Sequence, residues 1–157
     1  MEMSAQVCRP GAWGTRNDVF DRLAGAWRLD REIPGSAWMR GSATFRRLSD
    51  GRLEYAEQGR VRLPDGSVFD GSRRYGFERA DGGFAVYFAP GPPRLFHRIE
   101  IVDDGAELVG TASHLCAADT YHSRYAFRPD GSFLVEHVVR GPRKDYVSRT
   151  VFTRAVA

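Results

Sequence analysis

Residues 18–33, Asp18-Val-Phe-Asp-Arg-Leu-Ala-Gly-Ala-Trp-Arg-Leu-Asp-Arg-Glu-Ile33, decide how this chain is read. Val19, Phe20 and Leu23 recur at helical spacing, so the segment begins as a short helical turn with one apolar side. Asn17 or Asp18 is placed to cap it, because a short side-chain oxygen accepts from the otherwise unpaired first amides. Gly25 allows a sharp exit from the turn, and beyond it the pattern alternates, with Trp27 and Leu29 on one face. Every later segment alternates in the same way. This turn is therefore the helical piece available to close one end of a β-structure.

Working outward, Asp50-Gly51, Asp65-Gly66, Asp81-Gly82, Asp104-Gly105 and Asp130-Gly131 punctuate the chain. Asp-Gly supplies the positive φ that tight hairpins require, so five hairpins are expected in series. The strands they delimit are 26–33, 38–48, 52–63, 67–79, 83–89, 94–102, 106–116, 120–128, 132–140 and 144–154. Ten strands joined by short turns make an all-β, antiparallel up-and-down meander. Curling it into a barrel removes both exposed edges. A sandwich is the alternative closure. Residues 1–16 contain Pro10, Gly11 and Gly14 without periodicity and read as a flexible extension, leaving 17–157 as the barrel domain.

Composition bounds the function. The chain has 157 residues, 42% hydrophobic and 27% charged, as expected of one globular domain. A net charge of +3, spread along the strands without a block of like charges, gives no footprint for nucleic acid. No apolar run approaches the roughly 20 residues that span a bilayer, so no membrane partner is expected. Cys8 and Cys116 make no disulfide framework and are expected as free thiols. The first residues lack the basic start and apolar run of a secretory signal. These features lead to the expectation of a cytoplasmic protein; a homo-oligomer is compatible with them.

Gly25-x-Trp27 at the start of the first strand, after a helical turn, resembles the lipocalin and calycin signature. That resemblance implies a calycin-like barrel in which a basic residue of the last strand, Arg154 or failing it Arg149, packs across Trp27. Leu23-Ala-Gly-x-Trp27, Phe96-His97, His114-x-Cys116-x-x-Asp119-x-Tyr121 and Gly141-Pro-x-Lys-Asp-Tyr146 together resemble an uncharacterised family of such barrels, known only as a domain of unknown function. It implies a fold across about residues 18–154 and no activity.

Period-two parity, with no bulges assumed, sorts each strand into two faces. The apolar face carries Leu53, Tyr55, Val61 and Leu63 with Glu57, then Phe69, Tyr75 and Phe77 with Arg73. It continues with Leu95, His97, Ile99 and Ile101, then Leu108, Gly110 and Ala112 with His114 and Cys116. Tyr121, Ser123, Tyr125 and Phe127 follow, then Phe133, Val135, His137 and Val139, and finally Tyr146, Ser148, Thr150 and Phe152. An unpaired buried polar group costs roughly 1–3 kcal/mol, so these groups must meet each other, water or a ligand. Glu57 and Arg73, on neighbouring strands, are candidates for a buried ion pair. The pattern predicts a lumen with an apolar floor and a polar patch, the make-up of a small-molecule site.

Two functions follow. In the first, the lumen binds a small, partly apolar molecule with a polar or acidic group. Arg73 or Lys144 meets the acidic end, Phe69, Tyr75, Phe133 and Phe152 line the rest, and Glu57, His97, Cys116, Tyr125, His137 and Tyr146 complete the site. In the second, the same cavity is an enzyme for acid–base isomerisation, cyclisation or hydrolysis. His114 would be a base oriented by Asp119, and Tyr121 would donate to a developing oxyanion. Each of these groups also has a plain structural use: Asp119 as a turn cap, His97 and His114 as hydrogen-bonded wall residues. His97, His114 and His137 could converge on a metal ion, but neither a His-x-His pair nor a His-Glu-x-x-His helix is present, and no metal or other cofactor is expected.

Overall fold

The structure, a computed structural model, describes residues 11–156. Among them a helix, α1 (Val19–Leu23), precedes ten strands: β1 (Gly25–Ile33), β2 (Ala37–Arg47), β3 (Leu53–Arg62), β4 (Val68–Ala80), β5 (Gly83–Ala89), β6 (Arg94–Asp103), β7 (Leu108–Cys116), β8 (Asp119–Phe127), β9 (Phe133–Arg140) and β10 (Asp145–Arg154). Each strand pairs antiparallel with its neighbours in sequence, and β1 pairs with β10. The sheet is a closed barrel and not a sandwich. Its strands start and stop within two residues of the expected positions. The Asp-Gly turns are the cause. All five glycines have positive φ, between 68° and 94°. Asp50, Asp65 and Asp130 each accept the backbone N–H two residues on, at 3.1, 2.8 and 2.9 Å.

The helix closes one end. Val19, Phe20 and Leu23 are buried, as their spacing requires. Asp18 stands at the N-cap position but makes no cap bond: its Oδ2 accepts from Thr15 N and Oγ1, at 2.7 and 2.9 Å, and fixes the preceding loop instead. Trp27 is fully buried, and its Nε1 donates to Leu23 O at 2.8 Å. The Arg154 guanidinium lies 3.9 Å over the Trp27 ring and donates to the carbonyls of Arg22 and Ala24, at 2.7 and 3.0 Å. It thus serves carbonyls that a helix end leaves unpaired. Arg149 is not that residue; it turns outward to Glu136 at 2.9 Å.

Residues 1–10, including Cys8, lie outside the described residues. The segment that follows is part of the base rather than an extension. Trp13 is 3% exposed, lies parallel to Trp27 with centroids 5.7 Å apart, and donates from Nε1 to Ser132 O at 3.1 Å. The barrel unit therefore starts before residue 17.

Two inward assignments fail, each for a reason in the ladder. Phe69 is 49% exposed because β4 is paired with β5 only from Arg74 onward, and its first residues project past the rim with β3. Leu95 is 37% exposed because the register between β5 and β6 shifts after Val86, which faces His97 while Tyr87 faces Leu95. The extra residue is Phe96, and the bulge turns both Phe96 and His97 into the interior. Beyond this bulge the β6–β7 seam is unlaced. Those strands pair only between Glu100–Asp103 and Leu108–Thr111, so residues 94–99 and 112–116 face each other without a ladder.

Candidate functional site

The base of the interior is solid with aromatic rings: Phe133 stacks on Phe152 at 4.4 Å, and Phe45, Phe77, Phe84 and Phe127 pack around them. Above it, toward the rim away from α1, a cavity of about 640 Å³ opens. Strand parity brings Tyr75, Tyr121, His137, Tyr146 and Ser148 to its wall, and the bulge adds Phe96 beside Phe88. These rings form a continuous strip. Tyr75 to Phe96 is 6.0 Å, Phe88 to Phe96 is 4.8 Å, and Phe96 to Tyr121 is 5.9 Å between centroids.

A buried ion pair sits at the inner end of the cavity. Glu57, 5% exposed, accepts from Arg31 Nη1 and Nη2 at 2.7 and 2.8 Å and from the Tyr55 hydroxyl at 2.6 Å. Arg31 Nε donates to Thr150 Oγ1 at 2.8 Å. Burial is the largest single influence on Glu57 and opposes its ionisation. The Arg31 hydrogen bonds and charge, the Tyr55 hydroxyl and the charge of Arg73 together outweigh it and hold the carboxyl below its ordinary range. The expected partner, Arg73, is Glu57's cross-strand neighbour yet does not pair with it; Arg73 is exposed at the mouth. The reason is depth: Arg31 reaches Glu57 across the lumen from β1, where both are shielded from water.

Three cations at the mouth have no carboxylate partner among the described residues, and each lies over a wall ring. Arg73 is 5.9 Å from the Tyr75 centroid, Arg94 is 4.8 Å from Phe88, and Lys144 is 5.8 Å from Tyr121. Lys144 Nζ also donates to the Tyr121 hydroxyl at 3.1 Å, which raises its pKa. Arg74, nearby, is bound to Glu54 at 3.2 Å.

The histidines divide. His137 lines the cavity, and its Nδ1 is 2.7 Å from Ser123 Oγ; burial, with Arg73 and Arg31 nearby, holds its pKa down to about 4. His97 is 4% exposed with Nε2 2.9 Å from the Tyr125 hydroxyl and no partner for Nδ1 among the described residues; burial, then the charges of His137 and His114, hold its pKa down to about 3. Burial likewise pushes the Tyr125 hydroxyl far up. His97 and His114 pack against Phe96, at 4.0 and 5.5 Å, and that ring takes the cavity surface in their place.

The acid–base constellation does not assemble as expected. His114 and Tyr121 are cross-strand partners with ring centroids 6.4 Å apart. Asp119, paired with Cys116 across the two-residue hairpin, makes no hydrogen bond to His114, and its Oδ1 is buried without a partner among the described residues. It packs so closely on Gly141 that a Cβ there would overlap the carboxylate, which accounts for the glycine. The hairpin itself is closed by Ala117 at φ 57°. Cys116 is exposed on the cavity lip. Among the described residues no three His, Cys, Asp or Glu side chains are grouped to hold a metal.

Of the titratable side chains that the sequence points to for the site, Arg73, Tyr75, Cys116, Tyr121, His137, Lys144 and Tyr146 line this cavity, and Glu57, His97, His114, Asp119 and Tyr125 do not. Sequence reasoning passed over Arg31, Phe88, Arg94 and Phe96. Arg31 was signalled by its parity with Trp27 and Leu29, and Phe88 by its parity with Phe84. Phe96 depends on the bulge, and Arg94 sits at a strand end where parity has no purchase.

The profile of a family of unknown function (DUF6314) matches residues 23–154. No curated protein matches the chain. Among solved structures, an S-type phycobiliprotein lyase from Guillardia theta is similar over 88% of this chain and 91% of its own, with a TM-score of 0.60 at 12% identity. A redesigned β-barrel bound to DFHBI aligns over 88% of this chain and 100% of its own, with a TM-score of 0.41 at 12% identity. The lyase likeness is one of fold. No described helix is long and apolar enough to cross a membrane.

Proposed function

The chain belongs to the DUF6314 family of unknown function, and we propose that its barrel binds a small, partly apolar molecule bearing a polar or acidic group. The observation that carries this is the open cavity of about 640 Å³, walled by rings and rimmed by cations without carboxylate partners among the described residues. Its volume lies in the range of roughly 300–1,000 Å³ found for small-molecule sites. A sealed core would not keep Arg73, Arg94 and Lys144 at one opening, since like charges gathered together repel. We place the protein in a reducing compartment such as the cytoplasm, where exposed Cys116 stays a thiol.

The acid–base reading has less support. A general base needs its orienting partner in hydrogen-bond reach, and the Asp119 carboxylate is turned to Gly141 rather than to His114. The shared fold carries no lyase activity to this chain, because function resides in the site and not in the fold.

Titration with 1-anilinonaphthalene-8-sulfonate tests the binding reading. The expected result is a saturable fluorescence rise at one site, abolished in Ser148→Trp, which fills the cavity from β10, at a retained melting temperature. No saturable binding, or binding unaffected by Ser148→Trp, overturns it.

A further inference from the structure

The ligand class can be narrowed from the arrangement of the mouth. The aromatic strip runs from Tyr75 through Phe96 to Tyr121, in steps of 6.0 and 5.9 Å, with Phe88 stacked on its middle at 4.8 Å. A cation lies on the ring at each end: Arg73 on Tyr75 and Lys144 on Tyr121. A third, Arg94, covers Phe88 in the middle. The other two arginines at the cavity, Arg31 and Arg74, are each satisfied by a glutamate. The charge left over is therefore multiple, and it is spread along the strip rather than gathered at one point.

Resting a cation on a ring face is the weaker of the two uses open to it. A charge-assisted hydrogen bond to an anionic oxygen is stronger than the ring contact at an exposed site, and Arg offers a fork of donors for it. The ring planes differ along the strip: Phe88 lies within 18° of parallel to Phe96, Tyr75 is tilted 34° from Phe96, and Tyr121 stands at 89° to it. A flat body parallel to Phe96 therefore stacks on the middle of the strip and meets Tyr121 edge to face, both favoured aromatic geometries. We propose that the cavity takes a flat, conjugated dianion lying along the strip, with one acid group at Arg73 and the other at Lys144. Arg94 covers the body between them. This rests on the small-molecule reading above and specifies its charge, shape and orientation. Both ends are needed for tight binding, because each acid group then acts at the high effective concentration set by the other.

The test uses one rigid rod in three charge states: trans-stilbene-4,4′-dicarboxylate, stilbene-4-carboxylate, and the neutral dimethyl ester. Calorimetric titration should give the dianion at least 10-fold tighter than the monoanion, with the ester weakest. Arg73→Gln and Lys144→Gln, both at exposed positions, should each weaken the dianion about 10-fold and leave the ester unchanged. Added salt should weaken the dianion more steeply than the monoanion. Equal affinities across the three rods would overturn the dianion while leaving the cavity reading in place. So would a dianion indifferent to both substitutions. If no rod binds but anilinonaphthalenesulfonate still does, the proposed shape is wrong and the cavity stands; if neither binds, both readings fall.

Discussion

Glu57 takes both its guanidinium hydrogen bonds from Arg31, two strands away across the lumen, and none from Arg73, its direct neighbour on the wall. Removing one member of such a pair leaves the other buried and unmatched, at a cost of about 3–5 kcal/mol. Arg31→Met and Glu57→Leu should each lower stability by that order in urea unfolding. The double variant should recover most of the loss, since an apolar pair of similar volume needs no compensation. A double variant as unstable as the sum of the singles would show that the two side chains act independently.

Trp13 should behave as a core residue. It is stacked on Trp27 and bonded to Ser132 O, so Trp13→Ala should cost about 3–5 kcal/mol, as large aromatic truncations do. A thermal midpoint equal to the parent's would return this segment to the status of an appendage.

Ala117→Gly should stabilise. An L-residue at φ 57° carries about 1–2 kcal/mol of local strain, and glycine relieves it while adding some unfolded-state entropy. The net expected gain is about 0.5–1 kcal/mol, read from the urea midpoint. A loss would mean that the Ala117 methyl group makes contacts worth more than the strain.

Stability should decline on mild acidification. His97 and His137 titrate near 3 and 4 in the folded chain, against an ordinary 6.5. Between those values the unfolded chain binds more protons, so the stabilisation is complete above about pH 6.5 and is lost as pH falls toward 4. Each histidine contributes a slope of up to about 1.4 kcal/mol per pH unit. Glu57, held below its ordinary 4.5, adds a loss of the same sign at lower pH. His97→Phe should flatten the decline between pH 6.5 and 4 by roughly half. A melting temperature constant over that range would contradict the burial of both rings.

What could be read from the chain alone was what is encoded locally. Asp-Gly pairs carry their own φ preference, and Gly25 and Trp27 lie where period two can be counted from a turn; Arg154 over Trp27 was implied only by the resemblance to the calycin signature. The partners of Glu57 were not legible. Register relates a residue to its neighbours on the wall, and Arg31 meets it across the interior, where curvature decides the distance. Phe96 was missed for a related reason. A single inserted residue reverses parity for the stretch beyond it, and nothing in Arg94-Leu-Phe-His97 marks where the insertion falls. Trp13 lay among glycines and a proline without any periodicity, and only a tertiary partner fixes its place.

The unlaced stretch between β6 and β7 bears on how a molecule gets in and out. A fully hydrogen-bonded cylinder can widen its mouth only by breaking ladder bonds. Here residues 94–99 and 112–116 share none, so the two strands can part at the rim for the cost of side-chain contacts such as Phe96 with His114. The wall that carries the bulge is thus also the compliant one, and its amides should exchange with deuterium ahead of those of the β2–β3 ladder. Admission to the cavity and rigidity of its base are then properties of different parts of one sheet.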